Sequence, residues 1–197
     1  MISDNERLDH KIIARIVETG ARVLDLGCGT GDLLFLLAKE KRARVEGIEV
    51  DDEAIFKCVE KGLSVTHRDI DSGLSEYPDK SFDYVILNQS MQEVKRVDFV
   101  INEALRVGKK VIVGFPNFAH FSARWQMFFQ GKSPVTPALP FRWYDTPNLH
   151  FLSISDFWAY VREKKFKLQS VNYLGKDHEI HFFPNLFARS AIFVLTK

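Results

Sequence analysis

The sequence predicts an α/β protein built on a doubly wound, mostly parallel sheet of seven strands with an antiparallel edge strand. Two observations lead to this fold class. Strand-like and helix-like segments alternate strictly up to residue 115, which requires parallel pairing through crossover connections. A glycine-rich turn also joins the first strand segment directly to a helix, as in ligand-binding sheets of this kind. The 197 residues suit a single domain, because no linker or internal repeat divides the chain.

Composition restricts the classes of function. The chain has 27 Lys and Arg against 26 Asp and Glu, and this balance argues against non-specific nucleic-acid binding as the main activity. No apolar run approaches the roughly 20 residues of a membrane span, and residues 1–7 are polar, unlike a signal peptide. Two cysteines, Cys28 and Cys58, do not form a disulfide framework. We therefore expect a cytoplasmic protein without nucleic-acid or membrane partners.

A helix is expected at the start of the chain. Residues 3–6 have the spacing of a capping box, and apolar residues from Leu8 to Ile16 follow at helical intervals. The pattern predicts a helix to about Glu18, which Gly20 closes before the first strand.

Residues 22–32 read RVLDLGCGTGD and form the central motif. Glycine has no Cβ, so the backbone can turn sharply and approach a ligand closely, while the following helix presents unpaired N–H groups. Asp25, two residues before the first glycine, makes the motif more specific than a glycine loop alone. The alternative is a tight strand-to-helix turn of another doubly wound protein. The candidate binding residues of this turn are Asp25, Gly27, Cys28, Gly29, Thr30, Gly31 and Asp32.

The second strand, over residues 44–50, ends in a carboxylate. Glu49 lies about 20 residues beyond the glycine loop, where a carboxylate can accept hydrogen bonds from both hydroxyls of a ribose. Glu49 and its neighbour Val50 are therefore candidate binding residues. Asp51 and Asp52 follow, and we expect them to cap the next helix rather than to bind a ligand.

Further segments continue the alternation and then close the sheet. They are a strand over residues 63–67, a strand over 82–87, a helix over 97–105 and a strand over 109–115. Asn88 and Gln89 end the fourth strand. Residues 167–174 and 190–196 predict the last two strands, an antiparallel pair at the sheet edge.

An aromatic insertion, residues 117–152, interrupts this order. Ten of the chain's 25 aromatic residues lie between Phe115 and Phe151, and residues 120–130 are expected to be helical. Four prolines mark the remainder as loop. A capping box at Ser153, Ile154, Ser155 and Asp156 then opens a helix to about Lys164.

Two interpretations of the insertion stay open. It is either a hydrophobic lid packed on its own domain or a surface that docks a partner. Arg142, Trp143 and Tyr144 favour docking, because interface cores are enriched in these residue types. No metal site is predicted, since His178 and His181 are three residues apart beside strands, whereas zinc-binding histidines on a helix are usually four apart.

Several of these motifs together resemble the class I S-adenosylmethionine (SAM) methyltransferases, whose fold is Rossmann-like. The glycine loop, Glu49, the pair Asp69-Ile70 and the segment FDYVILNQ (residues 82–89) carry the resemblance. It implies SAM, or its product S-adenosylhomocysteine, as cofactor. Asp69 would accept a hydrogen bond from the adenine amine and Ile70 would contact the ring, while Asn88 and Gln89 would lie over the cofactor. A plain surface turn is the alternative for Asp69 and Ile70.

More specific segments resemble the MetW family of methionine-biosynthesis proteins. These are LNQSMQEV (residues 87–94), VGFPNFAHF (113–121) and RWYDTPNLHF (142–151). The resemblance implies a SAM-methyltransferase-like protein that acts with, and supports, a homoserine O-acyltransferase.

The alternative function is a SAM-dependent methyltransferase for an unidentified small molecule. No catalytic residue is predicted, because residues 88–91 lack the Asn/Asp-Pro-Pro-Tyr motif of amino-methylating enzymes. His120 and His150 are expected to be packed or surface side chains rather than catalytic ones.

Overall fold

A computed structural model describes residues 7–197 and confirms the expected fold class. Seven strands form one sheet in the order β3-β2-β1-β4-β5-β7-β6. The strands are β1 (Arg22–Leu26), β2 (Arg44–Glu49), β3 (Val65–His67), β4 (Phe82–Asn88), β5 (Gly108–Pro116), β6 (Lys167–Leu174) and β7 (Ser190–Thr196). The first five are parallel, and β7 runs antiparallel to both β5 and β6. The predicted antiparallel pair at the edge is therefore correct.

Helices connect these strands largely where the sequence predicts them. They are α1 (Leu8–Ile16), α2 (Asp32–Lys41), α3 (Asp52–Glu60), α4 (Val97–Val107), α5 (Phe121–Trp125), α6 (Ile154–Glu163) and α7 (Pro184–Phe187). A π-helix, Gln126–Gln130, continues α5. Both bonds of the capping box at Ser153 and Asp156 are present, as predicted. Helix α1 ends two residues before the predicted Glu18, because Val17 is extended. The capping box expected at residues 3–6 lies outside the described residues.

Apolar side chains cover both faces of the sheet, which makes the fold doubly wound. Successive residues of β1 and β4 alternate between two cores, as the two-residue period of a strand requires. Leu24, Val85 and Leu87 pack with α4 and α6 on one face. On the other face, the core with α1 and α2 includes Val23, Tyr84 and Ile86. None of the described helices is long and apolar enough to cross a membrane.

The order of the strands creates a crevice at their carboxyl ends. Strand β1 lies between β2 and β4, so the connections that leave β1 and β4 run to opposite faces of the sheet. Ligands of open α/β sheets bind in the crevice at such a switch point.

The aromatic insertion joins β5 to α6 and is attached at both of its ends. At its start, Asn117 donates from Nδ2 to the Ala188 carbonyl (2.9 Å) and accepts from the Ala119 amide (3.1 Å). Near its end, the amides of Leu149 and His150 donate to the carbonyl of Gln92 at 2.9 and 3.0 Å. The insertion therefore lies beside the turn that follows β4.

Candidate cofactor site

A cavity of about 420 Å³ opens at the carboxyl ends of β1, β2 and β4. All the predicted binding residues except Gly31 line it, so the fold brings together segments that are up to 64 residues apart. Sequence reasoning did not anticipate several other lining residues, which are Arg7, His10, Leu33, Ile48, Arg68, Asp71, Ser90, Glu93 and Val94.

The glycine loop turns through left-handed backbone conformations. Gly29 has φ +52° and faces open space, so a ligand can approach its backbone. Gly31 has φ +75° and a different role, because a Cβ there would lie 2.6 Å from Leu63 and 2.7 Å from the sulfur of Cys58. Gly31, which the sequence also predicts as a binding residue, packs the loop closely against the end of α3 and is not among the residues that line the cavity.

Residues of α3 and of its C-terminal end form hydrogen bonds to the glycine loop. Lys61 Nζ donates to the Thr30 carbonyl at 2.6 Å and to Asp32 Oδ1 at 2.5 Å, and the Cys58 thiol donates to the Gly29 carbonyl at 3.2 Å. The Lys61 hydrogen bond lowers the pKa of Asp32, so this carboxyl is ionised at neutral pH. Protein contacts alone thus hold the loop in this conformation.

Glu49 ties β2 to the glycine loop. Its Oε2 accepts from the Gly29 amide at 2.7 Å, and its Oε1 accepts from the amides of Val50 (2.8 Å) and Asp51 (3.1 Å). Both oxygens are fixed at the cavity wall, and Oε2, which accepts a single hydrogen bond, keeps a lone pair that can accept from a ligand hydroxyl. Asp51 caps α3 through Ala54, as the sequence predicts.

Two buried groups of the loop region have strongly raised pKa values. Asp25 is 3% exposed, and burial, with a further contribution from the charge of Glu49, raises its pKa to about 8. Burial also raises the pKa of the Cys28 thiol, which is therefore not a nucleophile at neutral pH. A cation bound beside Asp25 would lower the pKa of that carboxyl and favour its ionised form.

Asp69 and Ile70 form a turn that also borders the cavity. Asp69 Oδ1 accepts from the Asp71 amide at 2.8 Å and begins a short 3₁₀ turn, Ile70–Ser72. Asp71 in turn accepts from the amides of Lys95 and Arg96. The two interpretations of Asp69 are therefore compatible, because one carboxylate shapes a turn and faces the cavity.

The end of β4 supplies polar groups on the opposite side. Asn88 Nδ2 donates to Asp9 Oδ2 at 2.9 Å, whereas its Oδ1 is buried and has no hydrogen-bond partner among residues 7–197. Gln89 turns the chain with φ +64°, and its carbonyl accepts from Gln92 Nε2 at 2.7 Å. The buried Oδ1 lies against Gly114 of β5, so the side chain of Asn88 ties the end of β4 to α1 and β5.

Acidic groups outnumber basic ones around the cavity. The acidic lining residues are Asp25, Asp32, Glu49, Asp69, Asp71 and Glu93. The guanidinium groups present are those of Arg7 and Arg68, which are ion-paired with Asp9 and Glu76. Such a lining favours a cationic ligand. No cluster of three or more His, Cys, Asp and Glu side chains within residues 7–197 is arranged to hold a metal ion.

The histidines of the insertion have structural contacts. The His120 ring caps α5 by accepting from the Ser122 amide at 3.3 Å, and its pKa is lowered by burial and by Arg189. His150 contacts the Val94 carbonyl through Nε2 at 2.9 Å.

Solved structures share this architecture. A SAM-dependent methyltransferase from Thermotoga maritima, described as a possible histamine N-methyltransferase, has a TM-score of 0.68 and 18% identity, with 96% of this chain and 88% of that chain covered. A SAM-dependent methyltransferase from Archaeoglobus fulgidus has a TM-score of 0.67 and 15% identity, with 95% and 94% covered. The fold is that of the class I SAM-dependent methyltransferases.

The chain belongs to the family described as methionine biosynthesis protein MetW, which matches residues 7–195. A bifunctional methionine biosynthesis protein MetXA/MetW from Rhodopirellula baltica is 39% identical over 158 residues, which are 76% of this chain and 25% of that protein. A ribosomal protein L11 methyltransferase from Burkholderia mallei is 29% identical over 106 residues, 53% of this chain and 35% of that protein. The chain thus spans a quarter to a third of the length of these curated relatives.

Proposed function

We propose that the chain binds SAM or S-adenosylhomocysteine in the cavity at the ends of β1, β2 and β4. The observation that carries the proposal is the contact between Glu49 and the glycine loop, which holds a carboxylate beside a turn that is open to a ligand. Glu49 would accept from the ribose hydroxyls, and Asp69 and Ile70 would hold the adenine. Asp25, Asn88 and the loop would surround the methionine part, whose sulfonium and ammonium groups suit the acidic lining.

Calorimetry on Glu49→Ala tests the cofactor. Loss of the ribose acceptor is expected to cost about 1–3 kcal/mol, the range for charged hydrogen bonds, or roughly 5- to 150-fold in affinity. Glu40→Ala, which removes an exposed glutamate of α2, is the matched control and should bind like the parent. Undetectable SAM binding by the parent chain, or equal affinity in both variants, would refute the assignment.

The second part of the proposal is that the chain acts with a homoserine O-acyltransferase in the cytoplasm. The fused MetXA/MetW relative supports it, because proteins that are joined in one chain in one organism often work as a complex of separate chains in another. The proposed role is to support the activity of the acyltransferase rather than to replace it.

An exposed part of the insertion fits a protein partner. We define the aromatic surface as Trp125, Phe128, Phe129, Trp143 and Tyr144, each exposed by more than half; Phe128 is 82% and Trp143 75% exposed. Exposed aromatic clusters of this kind mark interaction sites, and a lid packed on its own domain would bury them. Affinity purification of the chain from its native cells tests the partnership, and an acyltransferase is expected among the proteins recovered.

A second candidate function is methyl transfer to a small molecule. A further cavity, of about 510 Å³, favours this alternative because it shares Arg7, Gln89 and Glu93 with the cofactor cavity and so adjoins it. Transfer of label from SAM to a component of a metabolite extract would support the methyltransferase, whereas recovery of the acyltransferase without such transfer would support the accessory role.

A further inference from the structure

Three cavities follow one another along the carboxyl edge of the sheet. The cofactor cavity adjoins the second cavity at Arg7, Gln89 and Glu93. The second cavity adjoins a third, of about 440 Å³, through residues that include Lys176 and Arg189. We call the second and third cavities together the trough. Its middle therefore lies at Lys176 and Arg189, away from the cofactor cavity.

The two cations at the middle of the trough have no anionic partner within the described residues, 7–197. Arg189 is half-buried, and its backbone is fixed by bonds to Leu174 and Asn117, both 2.7 Å long. Its guanidinium makes no hydrogen bond and no ion pair with residues 7–197, and the same is true of the ammonium group of Lys176. Exposed lysines are commonly unpaired, but a half-buried guanidinium that leaves five donors unused is unusual.

The other charged groups of the trough do not neutralise this region. Arg7 is paired with Asp9 at 2.6 Å, and Glu93 lies at the boundary with the cofactor cavity, at the other end of the second cavity. His120, in the third cavity, accepts a backbone hydrogen bond on Nδ1, and burial and Arg189 lower its pKa. His178 also lines the third cavity, and the residues that line this cavity include no Asp or Glu.

Apolar side chains form part of the wall of the second cavity, and we call them the proline wall. They are Pro116, Pro137, Ala138, Pro140 and Phe141. Three of these residues are prolines with restricted backbones, so little conformational entropy is lost when a ligand packs on them.

We propose that the second cavity is a binding site for a small metabolite that carries a carboxylate. The carboxylate would be held by Arg189, whose planar donors match it in a bidentate way, and by Lys176. The rest of the molecule would lie along the proline wall toward Gln89. This inference rests on the proposed function only in naming SAM as the ligand of the neighbouring cavity. The anion site itself is formed by Arg189 and Lys176, which do not line the cofactor cavity.

Succinate and succinamide are the probes that test this site, because they have similar shapes and differ in charge. Titrated into the chain without SAM at constant ionic strength and followed by ligand-observed NMR, succinate is expected to bind saturably and succinamide is not. Arg189→Gln should weaken succinate binding at least tenfold, and Lys176→Gln severalfold. Arg162→Gln is the matched control, since Arg162 is exposed on α6 and lines none of the three cavities.

Each result separates this site from the cofactor site. Equal binding of the two probes, or equal succinate affinity in the Arg189 and Arg162 variants, overturns the proposal. If Arg189→Gln does not fold, the exposed Lys176 variant decides the same question. SAM affinity should be unchanged by Lys176→Gln, and succinate binding in a chain that fails to bind SAM would refute the cofactor assignment alone.

Discussion

Replacing Arg142 and Trp143 together by alanine removes one exposed indole of the aromatic surface and the guanidinium group beside it. A tight turn presents these residues: Asp145 accepts from the Arg142 amide at 2.6 Å. The indole of Trp143 contacts Tyr144 edge to face at 5.6 Å, and the Arg142 guanidinium donates to the Tyr144 hydroxyl at 2.8 Å. Because these contacts are local and exposed, the double variant should fold with nearly the same melting temperature.

The expected loss of partner affinity follows from the area of Trp143. A buried tryptophan covers up to about 250 Å², and the 75% exposure of Trp143 leaves roughly 190 Å² of that for a partner to cover. At about 25 cal/mol per Å² this area is worth roughly 5 kcal/mol, less about 1 kcal/mol for ordering the side chain. Since contact with a partner is incomplete, we expect a loss of about 2–3 kcal/mol, or roughly 30- to 150-fold in Kd.

The assay compares the affinity of purified chains for the homoserine O-acyltransferase of the same organism. Phe56→Ala is the control, because Phe56 is 63% exposed on α3, beside β2 and β3 at the opposite end of the sheet. Only the double variant should lose affinity, while SAM binding stays the same in all chains. A lower melting temperature with an intact complex would show that Arg142 and Trp143 serve the fold, and the docking argument would fail.

Three further predictions concern the cofactor site. Gly29→Val places a branched side chain at φ +52°, so SAM affinity should fall at least tenfold by calorimetry while circular dichroism is unchanged; normal binding would show that the loop is only structural. The pKa of the Asp25 carboxyl is about 8 in the folded chain and about 4 in the unfolded chain, so between these pH values only the folded state keeps the proton. The free energy of unfolding, measured with urea and without ligand, should therefore fall as pH rises from about 4 to 8. Asp25→Asn should flatten this slope, and an equal slope in both proteins would contradict the assignment. Binding of SAM and of the acyltransferase should also be coupled, because the insertion is hydrogen-bonded to Gln92, and Gln92 is hydrogen-bonded to Gln89 at the cofactor cavity. SAM should then change the affinity for the acyltransferase by the same factor as the acyltransferase changes the affinity for SAM, and two independent affinities would exclude the coupling.

Local patterns were sufficient to predict the sheet and much of the cavity lining. Strands buried on both faces appear as apolar runs, and the glycine loop and the carboxylate of Glu49 follow strand ends. The carboxyl ends of parallel strands lie at one edge, so residues at those ends must lie close together. The sequence could not separate the roles of the three glycines, because their spacing does not show which of them lines the cavity and which, like Gly31, packs on α3.

Contacts between distant segments could not be predicted in this way. Asp9 and Asn88 are 79 residues apart, and Lys61 reaches a carbonyl 31 residues earlier. No local pattern marks either pair, because a single lysine or aspartate in a helix is usually a solvated side chain. The sequence shows only that polar residues occur at the start of α1 and at the end of α3, and this is true of most helices.

The role of the aromatic insertion also could not be predicted from the sequence, and the reason bears on function. Its aromatic composition is compatible with a lid or with a docking surface, since either use requires large apolar side chains. The difference lies in which side chains are covered: Leu139 is 6% exposed, whereas Phe128 is 82% and Trp143 75% exposed. The insertion therefore buries one part of its apolar residues and leaves another part uncovered. Because its inner part also contributes Pro137 and Pro140 to the wall of the trough, a partner bound outside would lie a few residues from a ligand bound inside.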